Sequence, residues 1–256
     1  MSEQLLHSQI IGDGKPFVIL HGLLGMGDNW KTLGTKFSED GYQVHLVDLR
    51  NHGRSFHSDD FNYTVMASDL KFYCEHYKLE DIILLGHSLG GKTAMKFAVT
   101  YPDFLSKLLV ADISPKQYPQ HHQDILKALS LLDFSILKSR GEAEKILSNY
   151  IKDLGTRQFL LKNLYWESKG KLSLRVNLNS ISENIEEVGK PLEQNAVYQG
   201  KTLFLRGEKS GYIEAIDEIL IKKHFPKATI VTISKAGHWL HAENPSEFYQ
   251  IVMNFL

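Results

Sequence analysis

Ser88 is the third residue of the pentapeptide GHSLG at positions 86–90, and serine is a residue type that attacks acyl carbons. The pentapeptide directly follows the apolar run Ile82–Leu85 and directly precedes a helix-like stretch at 91–100. At such a strand-to-helix turn the hydroxyl is lifted above the sheet edge at strained backbone angles, and the flanking glycines let the two backbones pass close together. The pentapeptide alone is weak evidence. Its position between an apolar, strand-like run and a helix-like stretch is what predicts a nucleophilic serine.

A serine hydroxyl is nearly inert at neutral pH, so it needs a base within hydrogen-bond reach. The chain has 12 histidines. His238 follows the last predicted strand, on a loop that leads over the sheet edge towards the serine, and it is therefore the predicted base. His241 is the main rival, and its place further along the loop beside Glu243 fits a supporting residue better.

The base in turn needs a carboxylate to orient it, and in the expected chain order this acid lies between the serine and the histidine. Asp112 directly follows the predicted strand 105–111, at the edge where the serine emerges. Asp112 is favoured because it could reach the histidine from the neighbouring strand end, although it could also cap the turn that follows it. Glu208 and Asp217 are the alternatives, but Glu208 falls early in its loop and Asp217 is expected on a helix.

Acyl transfer also needs hydrogen-bond donors for the oxyanion that forms on the substrate. The backbone N–H of Leu89, directly after the serine, is one predicted donor. The second is the N–H of Leu23 in the loop HGLLG at 21–25, where Gly22 permits the backbone to turn its amide towards the pocket. His21 is predicted to brace this loop.

The elements that must position these groups are apolar, β-rich runs alternating with helix-like stretches. The runs lie at 17–20, 44–47, 82–85, 105–111, 202–205 and 229–233, and the helix-like stretches at 30–39, 65–77, 92–100, 213–224 and 246–256. Continuous apolar runs are typical of strands that helices cover on both faces. The sequence therefore predicts an α/β fold with a mostly parallel, doubly wound sheet, with an edge strand near 5–10.

The alternation stops between residues 115 and 191, which we call the insert. Helix-like segments occur there at about 123–132, 141–154 and 156–164, before a mixed polar stretch that contains Trp166 and Arg175. We expect a helical cap inserted into a core formed by residues 1–114 and 192–256. A segment that leaves one sheet strand and returns at the next should lie across the strand ends and could roof a pocket.

The overall composition excludes several partners. Lys and Arg number 29 against 30 Asp and Glu, so no basic surface is expected to recruit nucleic acid or an anionic membrane. Cys74 is the single cysteine, and no stretch resembles a signal peptide or a membrane span. These features predict a cytoplasmic protein. No cofactor is expected, nor a metal, since Asp48 and His52 lack a third ligand at suitable spacing. The oligomeric state stays open.

Four motifs in this order resemble the α/β-hydrolase family over nearly the whole chain: HGLLG (21–25), DLRNHGRS (48–55), the turn around Ser88, and GH (237–238). The variants RNHG (50–53), SLGGK (88–92), DISP (112–115) and GHWLHAE (237–243) together look like the YbfF-type bacterial esterases. The resemblance implies a serine hydrolase with a small helical cap that acts on short- or medium-chain acyl esters, with acyl thioesters as a further option.

The resemblance also implies roles for particular residues. It puts the acid on the earlier strand, matching Asp112, and a serine in the later loop, matching Ser210, which would hydrogen-bond the acid or the imidazole. It implies that Asp48 and His52 stabilise loops. The same catalytic residues could instead cleave a carbon–carbon bond or form peracids without a cofactor, and a non-catalytic ligand-binding protein is the alternative from another class. Trp166, Tyr212 and Trp239 could line the acyl pocket or fill the core.

Overall fold

The computed structural model describes residues 4–120 and 122–256. Its strands are β1 Ser8–Ile11, β2 Lys15–Leu20, β3 Tyr42–Val47, β4 Ile82–His87, β5 Leu105–Ala111, β6 Leu164–Ser168, β7 Lys171–Leu174, β8 Thr202–Gly207 and β9 Ala228–Ile233. Its α-helices are α1 Lys31–Glu39, α2 Tyr63–Tyr77, α3 Leu89–Thr100, α4 Gln123–Ser130, α5 Arg140–Leu147, α6 Leu154–Leu161, α7 Leu178–Glu183, α8 Ile185–Gly189, α9 Asp217–His224, α10 Leu240–Glu243 and α11 Pro245–Phe255.

Seven of the described strands form one sheet in the order β1-β3-β2-β4-β5-β8-β9. Only β1 runs antiparallel, against β3, while the other neighbours pair in parallel. The predicted mostly parallel sheet with an edge strand is therefore confirmed. Because parallel strands end at the same edge, the loops after β2, β4, β5, β8 and β9 all emerge on one side of the molecule.

Helices cover both faces of this sheet, which explains why its central strands are continuously apolar. On one face, side chains of α2 and α3 such as Leu70 and Phe97 pack on the strands. On the other face, α1 and α11 contribute buried side chains that include Phe37 and Phe248. The strand that leads to the predicted nucleophile, β4, is buried at every position. The sheet therefore holds the end of β4 rigidly.

The insert lies in the chain between β5 and β8, and its described residues hold α4 to α8. It also contains a two-stranded antiparallel hairpin, β6 with β7, where the sequence indicated only a mixed polar stretch. The hairpin turns at Gly170, whose φ of 81° lies in the left-handed region that glycine adopts readily. The helices are also shorter than the sequence indicated: α5 ends at Leu147, and α6 ends at Leu161.

The two ends of the insert lie side by side. The Leu192 amide donates to the Pro115 carbonyl at 2.9 Å, and the Tyr118 amide donates to the Gly189 carbonyl at 2.9 Å. The insert therefore leaves and rejoins the core through one narrow root, defined by residues 115–118 and 189–192. Within the described residues, no helix combines the length and apolar character needed to cross a lipid bilayer.

Candidate active site

Ser88 occupies a strained turn between β4 and α3. Its backbone has φ 53° and ψ −114°, an unfavourable combination for a residue with a side chain. The turn needs glycine on both sides of the serine. A Cβ on Gly86 would lie 2.1 Å from the carbonyl oxygen of Gly90, and one on Gly90 would lie 2.5 Å from that of His21. The strained turn and the close backbone approach predicted from the pentapeptide are both confirmed.

Asp112 follows β5 and lies fully buried beside His238. The Nδ1 atom of His238 is 2.8 Å from Oδ2 of Asp112, and the Ser210 hydroxyl donates to the same oxygen. The other carboxylate oxygen accepts a hydrogen bond of 3.0 Å from the amide of Gly207. With a proton on Nδ1, the imidazole keeps Nε2 free to accept a proton, which is the form that a general base requires.

The two alternative acids make other contacts. Glu208 accepts from the amide of Lys235 at 2.7 Å. Asp217 accepts from Lys116 Nζ at 2.7 Å and from the amide of Glu214 at 2.8 Å, so it supports the start of α9. Both carboxylates therefore have structural partners of their own.

Ser88 and His238 line the same pocket, of about 520 Å³. Among the described residues, no hydrogen bond joins the Ser88 hydroxyl to the His238 ring. Such bonds often form or tighten only when substrate binds. The ring itself is held in place, because the side chain of Tyr212 stacks on it with 4.0 Å between ring centroids and 18° between planes.

The two predicted oxyanion donors lie at the same end of the sheet. Leu89 is the first residue of α3, where backbone N–H groups have no acceptor within the helix. Neither its amide nor that of Leu23 forms a backbone hydrogen bond within the described part of the chain. The Leu23 loop packs closely on the serine, since a Cβ on Gly22 would lie 2.8 Å from His87 Nδ1 and 3.4 Å from Ser88 Cβ. Both N–H groups are therefore available to a ligand.

Two buried histidines brace this loop rather than act as bases. Nε2 of His21 accepts from the amide of Leu49 at 3.0 Å, which leaves Nδ1 to donate to the Gly22 carbonyl at 2.8 Å. Nε2 of His52 accepts from the amide of Leu24 at 3.1 Å. Burial lowers the pKa of His21 to about 4 and that of His52 to about 3, so both rings stay neutral.

Asp48 stabilises the neighbouring loop through backbone amides. Its Oδ1 accepts from Gly27 at 2.6 Å, and its Oδ2 accepts from Arg54 at 2.8 Å. The loop-stabilising roles that the resemblance implied for Asp48 and His52 are therefore confirmed.

His241 is buried beside the loop that carries His238 and lines the pocket. Its ring stacks on Trp30 with 4.0 Å between centroids and 11° between planes, and burial lowers its pKa to about 3. Its Nδ1 atom is buried without a hydrogen-bond partner in the described part of the structure. Asp112 orients the ring of His238 and not that of His241.

Sequence reasoning missed His87, the residue before the serine. Its Nε2 atom donates to the backbone carbonyl of His238 at 2.8 Å, across 151 positions of chain. Burial holds the pKa of His87 well below its usual range, so the ring stays neutral and binds the loop as a fixed donor. No local signal identifies this contact, because the second position of the pentapeptide tolerates many residue types.

The walls of the pocket are mainly apolar. The insert contributes Ile125 from α4 and Phe159 from α6, while Tyr212 and Trp239 come from core loops. Tyr212 and Trp239 thus line the pocket, which the sequence left undecided. Trp166, the third aromatic residue considered, is about half exposed on β6 and is not part of the lining.

Comparisons with known proteins agree with this architecture. Residues 15–132 match the family model described as the alpha/beta hydrolase fold. A relative from Mus musculus, sn-1-specific diacylglycerol lipase ABHD11, is 37% identical over 93% of this chain and 80% of its own length. Esterase YbfF from Escherichia coli is 29% identical over 95% of this chain and 94% of its own length.

A solved structure described as a marine microorganism esterase matches with a TM-score of 0.96 and 42% identity, covering 99% of this chain and all of that one. The chain therefore belongs to the α/β-hydrolase family and, with esterases and lipases as relatives over nearly its full length, to the carboxylic ester hydrolases within it. The family predicted from the sequence motifs is confirmed.

Proposed function

We propose that this enzyme is a serine esterase that hydrolyses short- to medium-chain carboxylic esters through an acyl-enzyme on Ser88. The proposal rests most on one observation, the 2.8 Å hydrogen bond between buried Asp112 and His238 at a pocket that also contains strained Ser88. A buried carboxylate that fixes the imidazole tautomer beside a nucleophilic serine supports acyl transfer.

In the proposed reaction, the Ser88 oxygen attacks the ester carbonyl while His238 Nε2 takes the hydroxyl proton. Asp112 stabilises the imidazolium that forms. The amides of Leu23 and Leu89 donate to the oxyanion of the tetrahedral intermediate. His238 then protonates the departing alcohol, and a water molecule activated by the same imidazole releases the acid and restores Ser88.

The pocket supports the proposed acyl range. Its volume of about 520 Å³ falls within the range of sites that enclose small-molecule ligands, and Ile125, Phe159 and Trp239 offer apolar surface to an alkyl chain. We propose that the insert acts as a cap, because α4 and α6 supply part of this wall. Acyl thioesters react through the same steps and belong in the substrate panel, as does diacylglycerol, named for the mouse relative.

The decisive experiment combines kinetics with trapping of the nucleophile. The purified protein is assayed on p-nitrophenyl esters from acetate to decanoate, on acyl thioesters and on diacylglycerol, and is then treated with a p-nitrophenyl phosphonate. We expect turnover of the esters, release of one equivalent of p-nitrophenol by the phosphonate, and a mass increase confined to the peptide that contains Ser88. Ser88→Ala should abolish all three signals.

Ser130→Ala is the matched control, because it makes the same chemical change at an exposed position at the end of α4. It should leave each signal unchanged. Turnover that survives in Ser88→Ala, or a phosphonate adduct on another residue, would contradict the proposal. Binding of esters without turnover by the folded wild-type protein would instead support the non-catalytic alternative.

The location and partners predicted from the sequence are part of this proposal. We place the enzyme in the cytoplasm, acting on a small-molecule ester without nucleic acid. The balance of 29 basic and 30 acidic residues supports the expectation that no nucleic acid is bound.

A further inference from the structure

Lys92 is a buried lysine on α3, one helical turn after Ser88. Its side chain is almost inaccessible, and burial lowers its pKa to about 7. Lysine is rarely buried without a charged partner. No carboxylate pairs with Lys92 within the described residues; instead Nζ donates to two backbone carbonyls, those of Lys116, at 2.6 Å, and Lys190.

These two carbonyls lie on opposite sides of the root of the insert. Lys116 is on the segment that leaves the core, and Lys190 is on the segment that returns. One side chain from the nucleophile helix therefore holds both segments at once. The amine also lies near two aromatic rings, 5.1 Å from the ring centroid of Tyr118 and 6.0 Å from that of Tyr63.

The root is in turn connected to the catalytic imidazole. The Tyr118 hydroxyl accepts a hydrogen bond of 2.8 Å from the amide of Ser114 and donates to the carbonyl of Tyr212. The Tyr212 ring stacks on His238. Lys92, Tyr118, Tyr212 and His238 thus form an unbroken series of contacts.

We propose that Lys92 is a positioning residue that fixes the root of the insert against the nucleophile helix and thereby sets the shape of the acyl pocket. The insert wall of that pocket includes Ile125 and Phe159, both in the segment that the root joins to the core, so a shift of the root moves this wall relative to Ser88. The consequence for catalysis rests on the esterase function proposed above. The structural role does not depend on it.

Amide hydrogen exchange tests the structural role without any assay of activity. The amides of Tyr118 and Leu192 bridge the two segments of the root. In Lys92→Met we expect both to exchange about tenfold faster than in the wild type, since local opening is no longer opposed by the two hydrogen bonds. Lys92→Arg, which keeps the donors, should restore part of the protection.

Lys71→Met is the matched control, on the neighbouring helix α2. It makes the same chemical change, but Lys71 pairs with the carboxylate of Glu75 on its own helix rather than with the root carbonyls. It should leave both amides protected. Unchanged exchange at Tyr118 and Leu192 in Lys92→Met would overturn the proposal, whatever the activity of the enzyme.

Kinetics on esters of different length test the consequence for the pocket. In Lys92→Met we expect kcat for p-nitrophenyl acetate within about threefold of wild type, and KM for the octanoate ester raised about tenfold. An equal loss of kcat on both esters would overturn the effect on pocket shape. If Lys92→Met does not fold, Tyr63→Phe removes a bond to the residue that directly precedes the returning segment of the root, 2.7 Å to the Val188 carbonyl, and the same split between KM and kcat is expected.

Discussion

The side chain of His87 holds the backbone of His238, with 2.8 Å between Nε2 of the first and the carbonyl oxygen of the second. The residue next to the proposed nucleophile therefore positions the loop that carries the proposed base. Their rings also lie close, with 4.7 Å between centroids. The distance between Ser88 and His238 thus depends on a hydrogen bond between residues that are 151 positions apart in the chain.

Replacing His87 with phenylalanine removes this donor while keeping an aromatic ring of similar size. The freed His238 carbonyl has to find another partner, so the loop shifts. We expect kcat for p-nitrophenyl acetate to fall about 10- to 100-fold with little change in KM, because small displacements of a catalytic group cost rate rather than binding. Steady-state kinetics measure both parameters.

His87→Gln supplies the matched rescue, since its side-chain amide can donate to the same carbonyl. We expect it to recover part of kcat. His76→Phe repeats the aromatic substitution at an exposed position of α2 and should change neither parameter. If His87→Phe has full activity, His87 does not position His238.

The assignment of the acid predicts an ordered series of losses. Asp112→Asn should lower the acylation rate by about 10³- to 10⁴-fold, since the amide no longer stabilises the imidazolium or enforces its tautomer. Ser210→Ala should cost only about tenfold, because the carboxylate keeps its bonds to Gly207 and His238. Single-turnover acylation rates on p-nitrophenyl acetate measure both changes.

Glu208→Gln is the comparison for this series, because Glu208 bonds to the amide of Lys235 instead. It should leave the acylation rate within about threefold of wild type. If Glu208→Gln were inactive and Asp112→Asn active, Glu208 and not Asp112 would be the acid that orients His238.

Much of the fold was predictable because the core strands are buried on both faces and therefore have continuous apolar sequences, as in β4. The hairpin formed by β6 and β7 was not predictable in this way. Its strands are short and only partly buried, and Trp166 is half exposed, so no strong periodicity marks them. The alternation of Leu172 with Leu174 after Gly170 was the one local signal that could have indicated a turn between strands.

The site was predictable to the extent that its residues follow strand ends. Ser88, Asp112 and His238 each come soon after a predicted strand, so topology alone places them at one edge. Its place at a strand end favoured Asp112 as the acid, with Glu208 and Asp217 left as alternatives, and the family resemblance also implied Asp112. The bond of His87 to the His238 carbonyl and that of Lys92 to the Lys190 carbonyl could not be predicted, because they span 151 and 98 positions and end on backbone atoms, which carry no residue-specific signal.

The turn around Ser88 predicts a strong effect of a single added methyl group. In Gly86→Ala the new Cβ would lie 2.1 Å from the backbone oxygen of Gly90, a contact that the strand and helix can relieve only by moving apart. We expect a large fall in melting temperature, or loss of soluble protein, together with loss of activity. Gly211→Ala is the control, since its Cβ would meet no atom within 4 Å and its melting temperature should not change.

The buried amine of Lys92 predicts how stability changes with pH. Its pKa is lowered to about 7 in the folded protein, whereas an unfolded lysine has a pKa of about 10.4. Between these values the unfolded chain binds more protons than the folded one, so this group makes the free energy of unfolding rise with pH, by at most about 1.4 kcal/mol per pH unit. Below pH 7 the contribution is constant.

Urea unfolding of the wild type and of Lys92→Met from pH 7.5 to pH 9 isolates this effect, since other groups titrate alike in the two proteins. Lys92→Arg gives a second reference, because arginine stays charged throughout the range. We expect the free energy of unfolding to rise more steeply with pH in the wild type than in either variant. Equal slopes in all three proteins would mean that Lys92 has an ordinary pKa in the fold, and that its two carbonyl contacts fully compensate the loss of water.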